Sequence, residues 1–185
     1  GRAGIGVDNI DIKSATEHGI IVMNTPYGNS ITTAEHTISL MMSLARNIPQ
    51  ANSSTQNKKW EKSKFMGTEL YNKVLGMIGC GNIGSLVVER CLGLRMKINV
   101  YDPFLSEEEV NKLGASKIDL DALLTSSDFI TLHTPLTNET RNILNKENLL
   151  KCKKGIRIIN CARGGLINED DLINLIENGH IAGAA

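Results

Sequence analysis

The 185-residue sequence predicts an α/β protein built on a doubly wound, mostly parallel sheet. Three observations point there. From Lys73 onward, short runs rich in β-branched residues alternate with helical stretches. Strands alternating with helices pair in parallel through crossover helices, and the right-handed crossover rule leaves a doubly wound sheet as the natural architecture. Gly93, Gly114 and Gly179 sit just past the ends of helical stretches, where a left-handed residue closes a helix. Finally, Gly79-Cys80-Gly81-Asn82-Ile83-Gly84 stands at a strand-to-helix junction, the one context in which G-x-G-x-x-G is informative.

In chain order, residues 11–18 read as a short helix closed by Gly19, and 20–23 as a strand. A long helix is expected over 31–46, with Thr32 and Glu35 at capping-box spacing and Pro49 just beyond its end. Its apolar residues (Ile38, Leu40, Met41, Met42, Leu44, Ala45) cover most of the circumference, so the helix must be buried. A subunit interface is favoured over a purely internal position. The basic stretch 58–64 surrounds the only Trp and reads as a solvated connection anchored by Trp60, not a nucleic-acid patch. Strands follow at 74–78, 96–101, 115–118, 128–132 and 157–160, and helices at 82–92, 106–113, 120–126, 146–150 and 168–177. Lys151, Lys153 and Lys154 suit a helix C-terminus, where cations are favoured.

Composition excludes several classes of function. Twenty Lys+Arg against 20 Asp+Glu leave no net charge, which argues against a partner recognised through its phosphates. No apolar run approaches the roughly 20 residues of a membrane span, and no signal-peptide pattern opens the chain, so a cytoplasmic protein is expected. Cys80, Cys91, Cys152 and Cys161 form no Cys-x-x-Cys pair and have no clustered His, so neither a metal site nor a redox dithiol is expected. Gly1 at the start and Ile-Ala-Gly-Ala-Ala at the end suggest a piece of a longer protein.

The chemistry concentrates at expected strand ends. In the glycine loop, Gly79 permits a tight turn, Gly81 lets the backbone approach a pyrophosphate, and Gly84 lets the helix pack closely on the sheet. The helix start then offers free N–H groups and partial positive charge. The next strand ends at Asp102, whose carboxylate suits both ribose hydroxyls of an adenosine and repels a 2′-phosphate; NAD is therefore expected over NADP. A plain turn at Asp102-Pro103 is the alternative for that residue. A methyltransferase also fits a glycine loop plus an acid, but the second half of the chain argues otherwise. His133-Thr134-Pro135 and Asn160-Cys161-Ala162-Arg163-Gly164-Gly165 both leave strand ends, where open α/β sheets bind ligands. The planar, bidentate guanidinium of Arg163 suits an α-hydroxy or α-keto carboxylate. The acidic run Glu169-Asp170-Asp171 is explained as first-turn charge of the last helix.

Taken with Gly1-Arg2-Ala3-Gly4-Ile5-Gly6-Val7-Asp8-Asn9, Met23-Asn24-Thr25-Pro26, the segment 64–70 and Tyr101-Asp102-Pro103, these motifs resemble those of the D-isomer-specific 2-hydroxyacid dehydrogenases over nearly the whole chain. The resemblance implies a Rossmann-type NAD-binding domain with the substrate domain largely absent. It divides the chain into a hinge and substrate-loop segment (1–30), a dimer-helix and connecting segment (31–72) and the cofactor-binding core (73–185). It assigns Gly79, Gly81, Asn82, Ile83 and Gly84 to the pyrophosphate, and Asp102 with Pro103 to the adenosine ribose. His133 and Thr134 become cleft walls, and Cys161, Ala162 and Arg163 neighbours of the nicotinamide. Arg163 corresponds to the family's active-site arginine, and the Ala3, Gly4, Ile5, Gly6 loop to its substrate loop. Ile5 stands where a close relative carries Thr, so a side-chain hydrogen bond there is lost. The implied partners are a small phosphorylated 2-hydroxy acid and a second or further copies of the chain, as homodimer or homotetramer. Glyoxylate- or lactate-type enzymes and NAD-sensing corepressor-like proteins remain alternatives. The family's catalytic His and its Glu partner lie downstream of residue 185, and none of His18, His36, His133 or His180 has their context, so the chain alone is expected to bind NAD without turnover.

Overall fold

A computed structural model describes all of residues 1–185. Its centre is a six-stranded, all-parallel sheet in the order β3-β2-β1-β4-β5-β6. The strands are β1 (Val74–Ile78), β2 (Lys97–Tyr101), β3 (Ser116–Lys117), β4 (Phe129–Leu132), β5 (Ile156–Asn160) and β6 (Ile181–Ala184). The order reverses between β1 and β4, which opens a crevice at their carboxyl ends. β6 went unread in the sequence: Ile-Ala-Gly-Ala lacks a β-branched run, and pairing with β5 makes it a strand.

Register aligns the rim of that crevice. Ile78 lies opposite both Tyr101 and Leu132, and Leu132 opposite Asn160. The next residue on each strand is Gly79, Asp102, His133 and Cys161, so these four stand in one row across the sheet. At roughly 4.8 Å per strand the row extends about 14 Å.

Helices α4 (Asn82–Gly93), α5 (Glu107–Lys112), α6 (Leu120–Ser126), α7 (Lys146–Lys151) and α8 (Glu169–Glu177) connect the strands. Their starts are marked chemically. Ser106 and Glu109 form a reciprocal capping box at α5, and the side chains of Asp119, Asn145 and Asn168 accept backbone N–H bonds at α6, α7 and α8. Gly114 and Gly179 take the left-handed conformation after their helices (φ 81° and 74°). Gly93 does not: it is the last residue of α4, and Arg95 takes the positive φ of 57° instead. Lys151 pairs with Asp121 and Glu147, and Lys153 with Asp128.

Before the sheet lie α1 (Ile12–Glu17), α2 (Ser30–Arg46), α3 (Ile48–Gln56) and a 3₁₀ turn over Lys62–Phe65. Asp11 caps α1 through Ser14 N–H, and Gly19 closes it at φ 68°. Residues 20–23 form no strand; the Ile20 N–H bond to the Ala15 carbonyl and the Arg2 N–H bond to the Met23 carbonyl (2.8 Å each) are their backbone ties, and neither belongs to a ladder. At α2 the N-cap is Asn29 without a side-chain bond, so the Thr32–Glu35 spacing makes no capping box. Pro49 does not end the helical region. Asn47 in the left-handed conformation (φ 52°) separates α2 from α3, and Pro49 sits in the first turn of α3, where its missing N–H costs nothing. Trp60 is 84% exposed and anchors nothing within this chain.

α2 buries Ala34, Thr37, Met41 and Ala45 against α4 and the sheet, within the same core as Leu75, Met77 and Val87. Its other flank is half-exposed. On the opposite face of the sheet, Leu123, Leu124, Ile130, Leu144 and Leu149 form a second core that includes α6 and α7. Close approach there depends on Gly76 in β1: a Cβ would lie 2.3 Å from Ser127 Oγ and 2.6 Å from Leu123 Cδ2. Gly76→Ala is therefore expected to destabilise the protein by about 1–3 kcal/mol, read as a lower urea midpoint at unchanged slope.

Candidate functional site

The three loop glycines have three different environments. Gly79 holds φ 84°, and a Cβ there would stand 2.7 Å from the His133 carbonyl oxygen. At Gly84 an added Cβ would stand 2.9 Å from the Gly79 carbonyl oxygen and 3.1 Å from Met77 Sδ, so only glycine seats α4 this closely. Around Gly81 nothing lies within 4 Å of an added Cβ. The turn and the helix packing are internal demands of the fold, but the open space at Gly81 is not. As N-cap, Gly81 has no side chain to bond the first N–H groups of α4, which stay available to an anion.

That helix start opens on a cavity of about 460 Å³. Three strand-end segments line it: Gly81, Asn82 and Ile83; His133, Thr134 and Pro135; and Cys161, Ala162 and Arg163. Ala3, Gly4, Ile5 and Gly6 complete the lining as an amino-terminal loop, called the mouth loop below. Gly79 and Gly84 shape the loop from behind without lining the cavity, and Asp102 with Pro103 stands further along the rim. Arg2, Asn29 and Thr33 also line it and escaped the sequence reading. Arg2 adjoins the mouth loop in sequence, a signal that was there to use. Asn29 and Thr33 arrive through the packing of α2, which no local pattern reveals.

Asp102 is buried (8% exposed) and locked into the glycine loop. Its Oδ2 accepts the Cys80 N–H at 2.8 Å and its Oδ1 accepts the Phe104 N–H at 2.9 Å. Each oxygen retains a lone pair for a further donor. The turn expected at Pro103 is thus present, and the carboxylate also organises the loop across the β1–β2 boundary.

His133 presents its Nε2 to Thr131 Oγ1 at 3.0 Å, while its Nδ1 is buried without a protein partner. Burial pushes its pKa down to about 4, so the imidazole is neutral near pH 7. Burial also raises the thiols of Cys80 and Cys152 to about 11 and of Cys91 to about 12, which leaves them unreactive packing groups. Cys161 is the one partly exposed thiol.

Arg163 is held from three sides. Its Nε and Nη2 donate to Asp8 Oδ1 at 3.2 and 3.1 Å, and its Nη1 donates to the Ala162 carbonyl at 2.8 Å. The guanidinium lies directly on Gly6, where a Cβ would come within 1.7 Å of Nη2. Asn160 braces the turn by donating to the Arg163 carbonyl and accepting the Ala162 N–H. Asp8 is exposed, and its own backbone hydrogen bond followed by the Arg163 bond holds its carboxyl below the usual range. The mouth loop is tied down by Arg2, which donates to the Gly6 carbonyl and Asn9 Oδ1 at 2.6 Å each. The Gly4 N–H is spent on Thr25 Oγ1, whereas those of Ile5 and Gly6 make no hydrogen bond within the protein.

Open backbone space at Gly81, uncapped N–H groups and a neutral imidazole with an unused nitrogen fit an anionic dinucleotide along the rim. Comparison with known proteins agrees. Residues 38–185 match the family model described as D-isomer specific 2-hydroxyacid dehydrogenase, NAD binding domain. The whole chain is 54% identical to the D-3-phosphoglycerate dehydrogenase of Bacillus subtilis (strain 168) and 49% identical to that of Homo sapiens, and it spans 35% of the length of each. Among solved structures, the D-lactate dehydrogenase of Aquifex aeolicus complexed with NAD and lactic acid superposes with a TM-score of 0.90 at 32% identity, over 98% of this chain and 54% of that one.

Two measurements separate fold from site here. Gly81→Ala is expected to leave stability within about 1 kcal/mol of the parent yet weaken NAD binding about tenfold or more, whereas Gly84→Ala should lower the unfolding midpoint itself. His133 supplies a pH signature. Its folded pKa of about 4 lies below the ordinary 6.5, so the unfolded chain takes up the proton first as pH falls. Stability is retained above pH 6.5, declines towards pH 4 and levels off below it. Denaturant titrations at pH 7 and pH 4.5 should differ by up to about 2.5 kcal/mol from this group, a difference His133→Asn removes.

Proposed function

The chain belongs to the D-isomer specific 2-hydroxyacid dehydrogenase family through its NAD-binding domain, and from that premise we propose that it serves an enzyme oxidising 3-phospho-D-glycerate to 3-phosphohydroxypyruvate, the first step of serine synthesis. The observation behind the oxidoreductase reading is that one cavity joins an uncapped helix N-terminus to a bidentate guanidinium. Anion-binding N–H groups and a carboxylate clamp are what a dinucleotide and a hydroxy acid need if they are to meet. Identity favours the phosphoglycerate substrate: 54% to the Bacillus relative against 32% to the Aquifex lactate enzyme.

Bound NAD supplies the hydride acceptor. The residues of this chain bind and orient. The first N–H groups of α4, at Asn82 and Ile83, would hold the pyrophosphate, and Asp102 would use its remaining lone pairs on the ribose. His133 and Thr134 would wall the cleft, with Cys161 and Ala162 beside the nicotinamide. Arg163 would take the substrate carboxylate, helped by the unspent N–H groups of Ile5 and Gly6. The neutral imidazole of His133 is turned to Thr131 and is not assigned as proton acceptor. By the same resemblance, the His base and its Glu lie outside these 185 residues, so turnover is expected of the full-length protein alone.

No helix is long and apolar enough to cross a membrane, and a cytoplasmic enzyme is proposed. A homodimer or homotetramer is proposed as well, using the side of α2 and α3 turned from the sheet; exposed Ile48, Trp60 and Met66 beside it favour a subunit contact.

In the full-length enzyme, Arg163→Ala should lower kcat/KM for the hydroxy acid about 100-fold or more while the Kd for NAD stays within about twofold. Calorimetric titration should show NAD bound at least about tenfold more tightly than NADP because Asp102 repels the 2′-phosphate; equal affinities would remove Asp102 from cofactor choice.

A further inference from the structure

We propose that Asp8 is a positioning residue for Arg163, a role that rests on the reading of Arg163 as the carboxylate clamp. A guanidinium has five N–H donors. The Nε–H, one N–H of Nη2 and one N–H of Nη1 are taken by Asp8 Oδ1 and the Ala162 carbonyl. That leaves one N–H on each terminal nitrogen, the pair a carboxylate binds bidentately. Without Asp8 a single hydrogen bond, Nη1 to the Ala162 carbonyl, is left to hold the guanidinium over Gly6, and its Nε–Nη2 edge is untethered. With it, two donors are committed to one anchor and two are held for the ligand.

Three features favour orientation over simple stabilisation. The pair is solvent-exposed, 57% for Asp8 and 37% for Arg163, and exposed ion pairs contribute little to folding. The two residues are 155 positions apart, so the contact joins the amino-terminal loop to the turn after β5, both of which supply cavity-lining residues. Gly6 provides the seat: its negative or extended backbone needs no glycine for conformation, but a Cβ would occupy the position of Nη2. The mouth loop therefore supplies both the bed and the tether of the guanidinium, while Arg2 fixes the loop from the other side through the Gly6 carbonyl and Asn9.

The test uses the full-length enzyme with Asp8→Ala and the isosteric Asp8→Asn, each alone and combined with Arg163→Ala. Two readouts are taken: kcat/KM for 3-phospho-D-glycerate, and calorimetric binding of oxalate, a planar dicarboxylate, to the NAD-loaded protein. Asp8→Ala should lower kcat/KM about tenfold or more and weaken oxalate by a comparable factor, with the Kd for NAD within about twofold. Asp8→Asn, which keeps an acceptor but not the charge, should fall between parent and Ala. In the Arg163→Ala background, removal of Asp8 should change either readout less than twofold. Equal losses in both backgrounds, or parental values for Asp8→Ala, would overturn the proposal. If the parent enzyme oxidises no 2-hydroxy acid, the proposed function falls, and the oxalate titration then decides the role of Asp8. Oxalate bound equally by parent and Asp8→Ala, or by neither, overturns that role.

Discussion

The site depends first on the in-register parallel ladder between β2, β1, β4 and β5. Parallel strands all present their carboxyl ends at one rim, and here the register leaves no stagger among the four central strands. Gly79, Asp102, His133 and Cys161 consequently share a row, although 82 positions separate the first from the last. Each strand then delivers a different chemical element to one line: a backbone turn, a carboxylate, an imidazole, and the start of the turn bearing Arg163. A slip of one residue in any pairing would turn that element to the other face of the sheet.

Around this row the structure distinguishes residues that serve the fold from residues that serve a ligand. Gly79 and Gly84 are demanded by steric contacts within the chain, and Asp102 by two backbone N–H groups that would otherwise lack an acceptor. Gly81, the unspent N–H groups of Ile5 and Gly6, and the buried Nδ1 of His133 have no internal explanation. Unused polar capacity of this kind is costly inside a protein unless something occupies it. Its concentration along one cavity is why that cavity, and not the shallower hollows elsewhere on the surface, is proposed as the functional site.

Much of the core was legible in the sequence because local signals and tertiary demands coincide there. Strand positions at 74–78 and the helix at 120–126 match to the residue: the strand is an apolar run ended by Gly79, and the helix starts at an Asp119 cap. The amino-terminal region was harder. Residues 20–23 have strand composition but no strand to pair with, and composition alone does not make a ladder. The long helix ends at Arg46 as its spacing predicts, with Pro49 just beyond, but it is Asn47 in the left-handed conformation that turns the chain, and Pro49 opens α3 in its first turn. β6 shows the converse: a weak local signal becomes a strand because the β5 edge is available.

The sequence by itself determined the fold class and the glycine loop with its acidic partner, and it singled out the arginine proposed here as the carboxylate clamp. Each depends on spacing within one strand–turn–helix unit, where covalent distance limits the possible contacts. Only the tertiary structure decided which side chains face that arginine. Asp8 and Gly6 meet Arg163 across more than 150 residues of chain, and no short-range pattern encodes the contact. The burial that keeps His133 neutral and the packing that brings Asn29 and Thr33 to the cavity are likewise products of the assembled sheet and helices. Such contacts exist only once the chain has closed on itself.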